Sequence, residues 1–504
     1  KKAKGATAKE VTEPLTVGNF YGVLAAQVDS ESPRTNETDF AGILTNGFPA
    51  LASVSFSATE AGKLSAKLTV AGKKYSLKNG SWSEPEGGAR TCTLEGSGIV
   101  LRLSLADGQA PADWKVAGGT AELTMDVPDA KKGGSQPGIV YRGSVFRDNS
   151  KVQAYYDEVA ANFAGYYTVA LKARSVEYSA GMPLAPAGNG YMGVTIDSKG
   201  KAKLTGKLAD GTKISQSANA CAIRYEEGPV MYIPVFASKS PYCFGGVLRL
   251  YRKSITVPKP DGTMANLDPN RLDFDTVADS STNVADLVWN NDNAKLSYEG
   301  LKGWQLSLVP VGGWYDTVFN LQSYYRSFAL RLDAPTVAEF PSQTLPEGFT
   351  FLDSESVQPG SVAVALTGNS LSVPKKKIVK SDGVTLFDES ENPCDLKIKF
   401  KRATGVLSGS FTLWAESDSK QKQIKGIKHE GVLLLQRDDS GVLPDDVLSA
   451  GFVTYSTKVS RDVDYNQKTG KYQQRKWTLS LPFNMLGTDQ NPIDWWADDW
   501  GNKQ

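Results

Sequence analysis

One hairpin-like segment is written three times along this chain, and this repetition restricts the fold more than any other feature. The copies occupy residues 54–68, 194–208 and 398–411. Each has two apolar residues flanking one polar residue, then a turn containing glycine, then a longer alternating segment. Repetition of a whole supersecondary unit indicates a duplicated β architecture. It describes a scaffold and points to no particular reaction.

Strict alternation of apolar and polar residues runs through each copy. In the first copy the apolar side chains alternate with Lys63, Ser65 and Lys67. A period of two with one polar side is typical of antiparallel strands that cover a core on one face. A small residue recurs at one inward position, as Ala66, Gly206 and Gly409, which suits a sharp strand bend. We therefore predict an all-β fold of two or three consecutive antiparallel modules, and both a barrel and a sandwich remain open.

The opening strand is duplicated as well, because residues 18–24 and 165–171 share an aromatic start and an apolar run. This duplication places a first β-module at 15–148 and a second at 164–345. A polar tail over 1–14 precedes them, and a short helical linker is predicted over 149–163. Residues 346–460 form a third module or complete the second, and 461–504 add further strands and an aromatic end.

Composition restricts the class of protein and its partners. Lys and Arg total 56 against 55 for Asp and Glu, so no overall basic excess is available for nucleic acid. No apolar stretch reaches the ~18 residues that a membrane-spanning helix needs. Few Met residues, many glycines and many aromatics suit an exported β protein. The polar tail resembles a linker, and we expect the chain to be a piece of a longer one.

Four cysteines occur, and no pair has the spacing of a zinc cluster. Cys221 and Cys243 are predicted on strands of the same module, and a disulfide between them would stabilise it by about 3 kcal/mol. Four buried free thiols are the alternative.

Candidates for chemistry are few. The single histidine, His429, excludes a multi-histidine metal site within this chain, and we predict it at a solvated turn or strand edge. Asp462, Asp464 and Asn466 alternate as oxygen ligands do in a calcium loop, but the expected Gly and Glu are missing. A strand explains that segment equally well. Acidic pairs that could serve a glycosidase occur in polar strings, at residues 273 and 275, 389 and 391, and 498 and 499.

Clustered aromatic residues are the best indication of a binding function. Trp289, Trp304, Trp314, Tyr315, Tyr324 and Tyr325 form one group, and Trp495, Trp496 and Trp500 crowd the end of the chain. Exposed aromatic side chains stack on sugars or anchor protein interfaces. For the first group, filling of a barrel interior is the favoured interpretation. For Trp495 and Trp496, neighbouring strand residues point to opposite faces, so one of them is expected to reach a partner.

The segment 186–217, which contains Gly190-Tyr-Met-Gly-Val-Thr-Ile-Asp-Ser-Lys-Gly200, resembles a β-module of exported proteins in the Verrucomicrobia, Planctomycetes and Kiritimatiellota group. Residues 403–411 and 431–436 share the likeness, which extends loosely over 15–460. In that family such modules often lie near the C-terminal end of very large surface or secreted chains. The resemblance implies an extracellular or cell-surface location, and it transfers no catalytic residue because the family's role is not established.

These observations favour a non-catalytic structural or adhesive module of an exported bacterial surface protein, without cofactors, that contacts copies of itself or other surface proteins. The first alternative is carbohydrate binding through surface Trp and Tyr. The second is a secreted glycan-active enzyme.

Overall fold

The structure is a computed structural model that describes the greater part of the chain. Its strands pair antiparallel throughout, and the few helical segments are single turns, so the all-β prediction is confirmed. The described residues are 16–26, 51–70, 72–106, 118–128, 135–148, 162–179, 182–225, 228–239, 242–252, 256–258, 264–266, 272–276, 287–291, 304–315, 329–340, 345, 347–353, 358–367, 370–375, 379–381, 384–386, 391–418, 420–434, 447–467 and 470–488. The predicted helical linker over 149–163 lies almost entirely outside them.

The first sheet is an up-and-down meander that nearly closes into a barrel. Its strands are β1 (Gly18–Ala26), β2 (Leu51–Ala58), β3 (Leu64–Val70), β4 (Lys73–Gly80), β5 (Ala89–Gly96), β6 (Ile99–Ala106), β7 (Gly118–Pro128) and β8 (Ser135–Arg147). The order β4-β3-β2-β1-β8-β7-β6-β5 pairs the first strand with the last and leaves a seam between β4 and β5. We call this unit the first barrel.

Alternation fills the interior of the first barrel with apolar side chains, as the sequence pattern predicts. Leu64, Ala66 and Leu68 of β3 are buried, whereas Lys67 is exposed. Phe20 and Phe56 stack at 4.4 Å across β1 and β2. An eight-stranded barrel has an interior just wide enough for side chains to fill.

The second sheet is a larger version of the same design. Its unit contains β9 (Gly165–Ala173), β10 (Tyr178–Ser179), β11 (Met182–Pro183), β12 (Gly190–Ile196), β13 (Lys201–Lys207), β14 (Lys213–Asn219), β15 (Cys221–Tyr225), β16 (Gly228–Lys239), β17 (Tyr242–Arg252), β18 (Thr256–Pro258), β19 (Met264–Asn266), β20 (Leu272–Thr276), β21 (Leu287–Asn291) and β22 (Trp304–Trp314). The order is β14-β13-β12-β9-β22-β20-β17-β16-β15, and β21 pairs with β17 and β22. As in the first barrel, the opening strand β9 pairs with the closing strand β22. We call this unit the second barrel.

A single bent strand closes the second barrel. β14 and β15 run in the same direction and are joined only by the buried Ala220. The first half pairs with β13 and the second half with β16. Where β14 diverges from β16, the side-chain amide of Gln216 accepts a hydrogen bond of 3.1 Å from the Phe236 backbone N–H and donates one to the Phe236 carbonyl. The Gln216 side chain thus bonds both the N–H and the carbonyl of Phe236, as a paired backbone residue of a neighbouring strand would do.

The third sheet curves without closing, and we call it the half-barrel. The strands of this part are β23 (Ala329–Asp333), β24 (Thr350–Phe351), β25 (Ala365–Thr367), β26 (Ser370–Ser372), β27 (Val379–Ser381), β28 (Val384–Leu386), β29 (Lys397–Lys401), β30 (Val406–Ser417), β31 (Lys420–Leu433), β32 (Val447–Asn466), β33 (Lys471–Pro482) and β34 (Asn484–Thr488). The order is β23-β34-β32-β31-β30-β24, with β29 paired to β30 and β33 to β32. The sheet therefore takes in one strand that precedes residue 346 and two that follow residue 460. Single 3-10 turns occur at Val337–Glu339, Pro359–Ser361 and Arg402–Thr404.

The two barrels pack side by side through their outer faces. Phe146 of the first barrel stacks on Tyr232 of the second at 4.3 Å. A second apolar contact joins Val23, Ala25 and Leu51 to Cys243 and Val288. The outward residues Val23, Ala25 and Phe146 are apolar because the neighbouring barrel covers them.

The half-barrel packs on the opposite part of the second barrel, and the two share one hydrophobic core. Polar contacts fix the junction. Thr168 donates to the Leu433 carbonyl at 2.8 Å, and Asn189 donates to the side chain of Asn484 at 3.0 Å. The second barrel therefore lies between the other two units.

All three repeated segments form antiparallel hairpins, as predicted, but their registers differ. Ala66 lies opposite Phe56, Gly206 opposite Met192, and Gly409 opposite Ile398. The sequence alignment of the copies places Ile196 and Phe400 where Phe56 stands, so the pairing slides by four and two residues. Both shifts are even, and each inward-facing residue therefore stays inward. The glycines are needed because a Cβ at 206 or 409 would overlap the carbonyl oxygen of Tyr191 or Lys397.

Candidate functional site

The first aromatic group lies inside the second barrel and at its junction with the half-barrel. Trp289 and Trp304 are buried and meet edge to face at 5.6 Å. Tyr315 is buried, and its hydroxyl donates a 2.6 Å hydrogen bond to the Arg402 carbonyl. Trp314 is partly buried against the same core. These side chains therefore act in packing, as the barrel-interior interpretation predicts, and Tyr324 and Tyr325 lie outside the described residues.

Among the side chains that the structure describes, Tyr178 is the exposed large hydrophobic residue. Trp495, Trp496 and Trp500 lie outside the described residues, so the prediction that one of them reaches a partner stays a prediction.

The calcium candidates Asp462, Asp464 and Asn466 lie in β32, whose pairing with β33 is interrupted between Ser460 and Tyr465 and resumes through Asn466. A calcium loop coils so that alternate residues point at one centre, whereas alternate residues of a strand stand about 6.6 Å apart in a row. Asn466 has the pairing of a strand, whereas Asp462 and Asp464 lie within the interruption of the ladder. No cluster of three metal-ligating His, Cys, Asp or Glu side chains occurs among the described residues.

All four cysteines are buried free thiols, so the disulfide considered between Cys221 and Cys243 is not present. The strand register explains why. Cys221 lies opposite Tyr232 of β16, which lies opposite Arg249 of β17, six residues from Cys243. The two α-carbons are thus separated by about 20 Å along the strand direction, far beyond the ~6 Å of a disulfide. Burial raises the pKa of Cys243 to about 12 and that of Cys92 to about 11, so both thiols are neutral at pH 7.

The acidic pairs do not form a cleft that the structure describes. Asp273 and Asp275 lie in β20, and Glu391 is exposed just before β29. Residues 389, 498 and 499 lie outside the described residues. The glycosidase interpretation gains no pair of facing carboxylates from these positions.

His429 is not at a solvated turn or strand edge, and that prediction is wrong. It lies in the interior of β31, is 1% exposed, and stacks on Phe483 at 4.2 Å. Its Nε2 is 2.9 Å from the Lys397 carbonyl, which can only accept, so Nε2 carries the proton. Burial lowers the pKa of His429 to about 4, against a smaller raising effect of that hydrogen bond. The neutral ring is therefore part of the half-barrel core.

The other ring nitrogen of His429 has no hydrogen-bond partner among the described residues. The ring lines a cavity of about 10 Å³ together with Ser449, Phe483 and Met485. A cavity of this size holds at most one water molecule. No substrate can be accommodated there, and the histidine has a structural role.

A polar triad links the second barrel to the half-barrel. The Lys207 ammonium lies 2.5 Å from one carboxylate oxygen of Glu430, and the Tyr191 hydroxyl donates to the other at 3.0 Å. Tyr191 also packs against Phe452. Because each group has its partner, this triad fixes the relative position of two units and leaves no free base or acid.

Comparison with known proteins adds no assignment. No family model matches the chain, and no curated protein matches it. Among solved structures, the chain is similar to a double mutant of the vaccine antigen Transferrin Binding Protein B from Haemophilus parasuis Hp5, at 10% identity and a TM-score of 0.13, over 94% of this chain and 76% of that one. Similarity at this level says nothing about function. No helix in the described part of the chain has the length and hydropathy to cross a membrane.

Proposed function

We propose that this chain is a non-catalytic structural and adhesive module of an exported bacterial surface protein, and that it associates with copies of itself or with other surface proteins. The observation that carries the proposal is how the three units pack, both inside and against each other. Their interiors are filled with apolar side chains, and their outer faces pack on one another. Such a molecule offers surfaces rather than a reaction centre.

The extracellular setting rests on the resemblance of 186–217 to modules of exported proteins and on a composition poor in Met and rich in Gly and aromatics. The self-association part rests on the terminal Trp495, Trp496 and Trp500, which stand beside acidic residues in the sequence. Aromatic residues are enriched where protein surfaces bind each other.

The test compares the full chain with two truncated chains by sedimentation velocity over a wide range of concentrations. Removal of 489–504 is expected to abolish association, because it removes the three tryptophans and leaves β34 in place. A cut before residue 489 would shorten β34, which pairs with β23 and β32, and would confuse unfolding with loss of contact. Removal of 1–14 is the control of similar length and should leave association unchanged.

A full chain that stays monomeric up to about 100 μM, where an association free energy of about −5.5 kcal/mol would already give dimers, would contradict the self-association proposal. Circular dichroism and thermal unfolding of both truncated chains must match the full chain for the comparison to count.

A further inference from the structure

Two outer sheet faces carry lysines and hydroxyl groups, and the strands that form them contain no carboxylate. One is formed by β2, β3 and β4 of the first barrel, and the other by β12, β13 and β14 of the second. These are topologically equivalent strands of the duplicated design. No Asp or Glu occurs within any of the six strands. We call them the lysine faces, and the exposed lysines that project outward from them are Lys67, Lys74 and Lys78 in the first barrel and Lys201, Lys203 and Lys213 in the second.

On the first lysine face, each lysine has hydroxyl neighbours in the adjoining strands. Lys67 lies between Ser55 and Ser76. Lys74 lies opposite Thr69, and Lys78 lies opposite Ser65. The face is therefore a grid of cations and hydroxyl groups at the spacing of a β-sheet, about 4.8 Å across strands and 6.6 Å along them.

The second lysine face repeats this arrangement. Lys203 lies between Thr195 and Ser217. Lys213 lies directly opposite Lys207, whose ammonium is already paired with Glu430. Glu430 therefore balances Lys207, and the charges of this face that remain for an anion are those of Lys201, Lys203 and Lys213.

Elsewhere on the first barrel, cationic side chains are paired with a carboxylate. On β6, β7 and β8, Glu122 stands between two arginines and accepts from Arg102 at 3.2 Å and from Arg142 at 2.8 Å. For the six lysines of the lysine faces, no ion pair is formed with a carboxylate of the described residues. The same barrel thus neutralises cations on one side and leaves them free on the other.

The chemistry of these faces selects the class of anion. Nucleic-acid surfaces use forked arginines on phosphates and exposed aromatic rings for base stacking. The lysine faces have neither, and Tyr178, the exposed large hydrophobic residue of the described chain, lies in β10, outside them. Hydroxyl side chains between lysines can exchange hydrogen bonds with sugar hydroxyls while the ammonium groups hold the acid groups.

We propose that the lysine faces of the two barrels bind an acidic polysaccharide, a polymer whose sugars carry carboxylate groups. Binding releases the counterions that the free lysines hold, and two equivalent faces on one chain give avidity along one polymer. This inference deepens the proposed function, because it names a partner for an adhesive surface module.

The test measures binding of the full chain to polygalacturonate, with neutral dextran and a single-stranded oligonucleotide as the comparison polymers. Polygalacturonate should bind at about 50 mM NaCl and lose at least tenfold in affinity by about 500 mM, because each released counterion adds to the salt dependence. Dextran should not bind, and the oligonucleotide should bind at least tenfold more weakly than polygalacturonate.

Charge-removing variants locate the site. Lys201→Gln, Lys203→Gln and Lys213→Gln together should lower the affinity about tenfold, and the set Lys67→Gln, Lys74→Gln and Lys78→Gln should do the same. The control set is Lys375→Gln, Lys420→Gln and Lys425→Gln, which removes the same charge from exposed positions outside the lysine faces and should change affinity less than twofold.

Equal loss in the control set would overturn the proposal, because binding would then follow net charge alone. Absence of polygalacturonate binding by the folded full chain, or equally tight binding of the oligonucleotide, would overturn it as well. Sedimentation of the same variants separates this result from the proposed function, since self-association depends on 489–504 and should be unchanged in every lysine variant.

Discussion

The first barrel and the half-barrel bury their inward side chains in different ways. The first barrel closes on itself and has a core cluster of its own, made almost wholly of apolar side chains. The half-barrel leaves its sheet open, shares its core with the second barrel, and buries polar side chains such as His429, Asn392 and Ser480. Closure makes a unit independent, whereas an open sheet depends on its neighbour and on exact placement of each polar group.

The largest expected effect is on independent folding. A chain of residues 1–160 should unfold cooperatively on heating, because the first barrel carries its complete core. A chain of residues 320–504 should show no cooperative transition, because its core is completed by Thr168, Ala170 and Tyr191 of the second barrel. Differential scanning calorimetry checks both. A chain of 150–504 is the control and should fold, and a sharp transition in 320–504 alone would refute the dependence.

The next largest effect is a difference in stability loss between substitutions at equivalent small residues of two repeated hairpins. Gly409→Ala should destabilise the half-barrel by about 3 kcal/mol, because the added Cβ overlaps the Lys397 carbonyl and Nε2 of His429. Ala66→Gly in the first barrel should lower stability by only about 1 kcal/mol, the effect of greater backbone freedom. The two losses of stability are measured in a denaturant titration that is monitored by hydrogen exchange of peptides from each unit. Similar losses at both positions would show that the two cores tolerate change alike.

Acid should weaken the half-barrel before the first barrel. The folded pKa of His429 is lowered to about 4 from an ordinary 6.5, so the unfolded chain binds the extra proton first. The stability from the neutral ring is complete above pH 6.5 and is lost as the pH falls to 4, by about 3 kcal/mol in all. Hydrogen exchange at pH 7 and pH 4.5 measures this loss of stability. In the His429→Leu variant most of this acid-induced loss should disappear, because no ring is left to protonate. An unchanged pH profile in that variant would place the effect elsewhere.

The smallest effect concerns the charged outer face of the first barrel. Glu122→Gln should lower stability by less than about 1 kcal/mol, because the carboxylate and its two arginines are partly exposed. Chiefly the hydrogen bond from Arg142 holds the pKa of Glu122 below its ordinary value. Its contribution is therefore present at neutral pH and disappears only as the carboxyl group becomes protonated in acid. Denaturation at low and high salt checks this, since salt should weaken the wild-type ion pairs and leave the variant unchanged.

Sequence reasoning recovered what depends on alternation. The inward Leu64, Ala66 and Leu68, and the burial of Trp289 and Trp304, follow from a period of two and from the size of the side chains. These features are local, and the core side of a strand is decided within a few residues.

Features set by distant parts of the chain were missed. His429 stands between polar residues in the sequence, and only the pairing of β31 with β30 and β32 places it in a core. Cys221 and Cys243 share a module but differ by six residues in register. The pairing of β23 with β34 joins residues more than a hundred positions apart. The lysine faces could have been found, because the alternation of lysine with apolar residues in β13 is visible in the sequence.

The position of the chain ends within each unit has a mechanical consequence. In every unit the opening strand lies antiparallel to the closing strand, so that Phe20 faces Arg147, Tyr167 faces Trp314, and Ala329 faces Thr488. Tension applied at the two ends of a unit therefore reaches the hydrogen bonds of that ladder one after another, as when a zipper is opened, and never loads them all together. A chain stretched between two anchors would lengthen stepwise at low force and behave as an extensible tether.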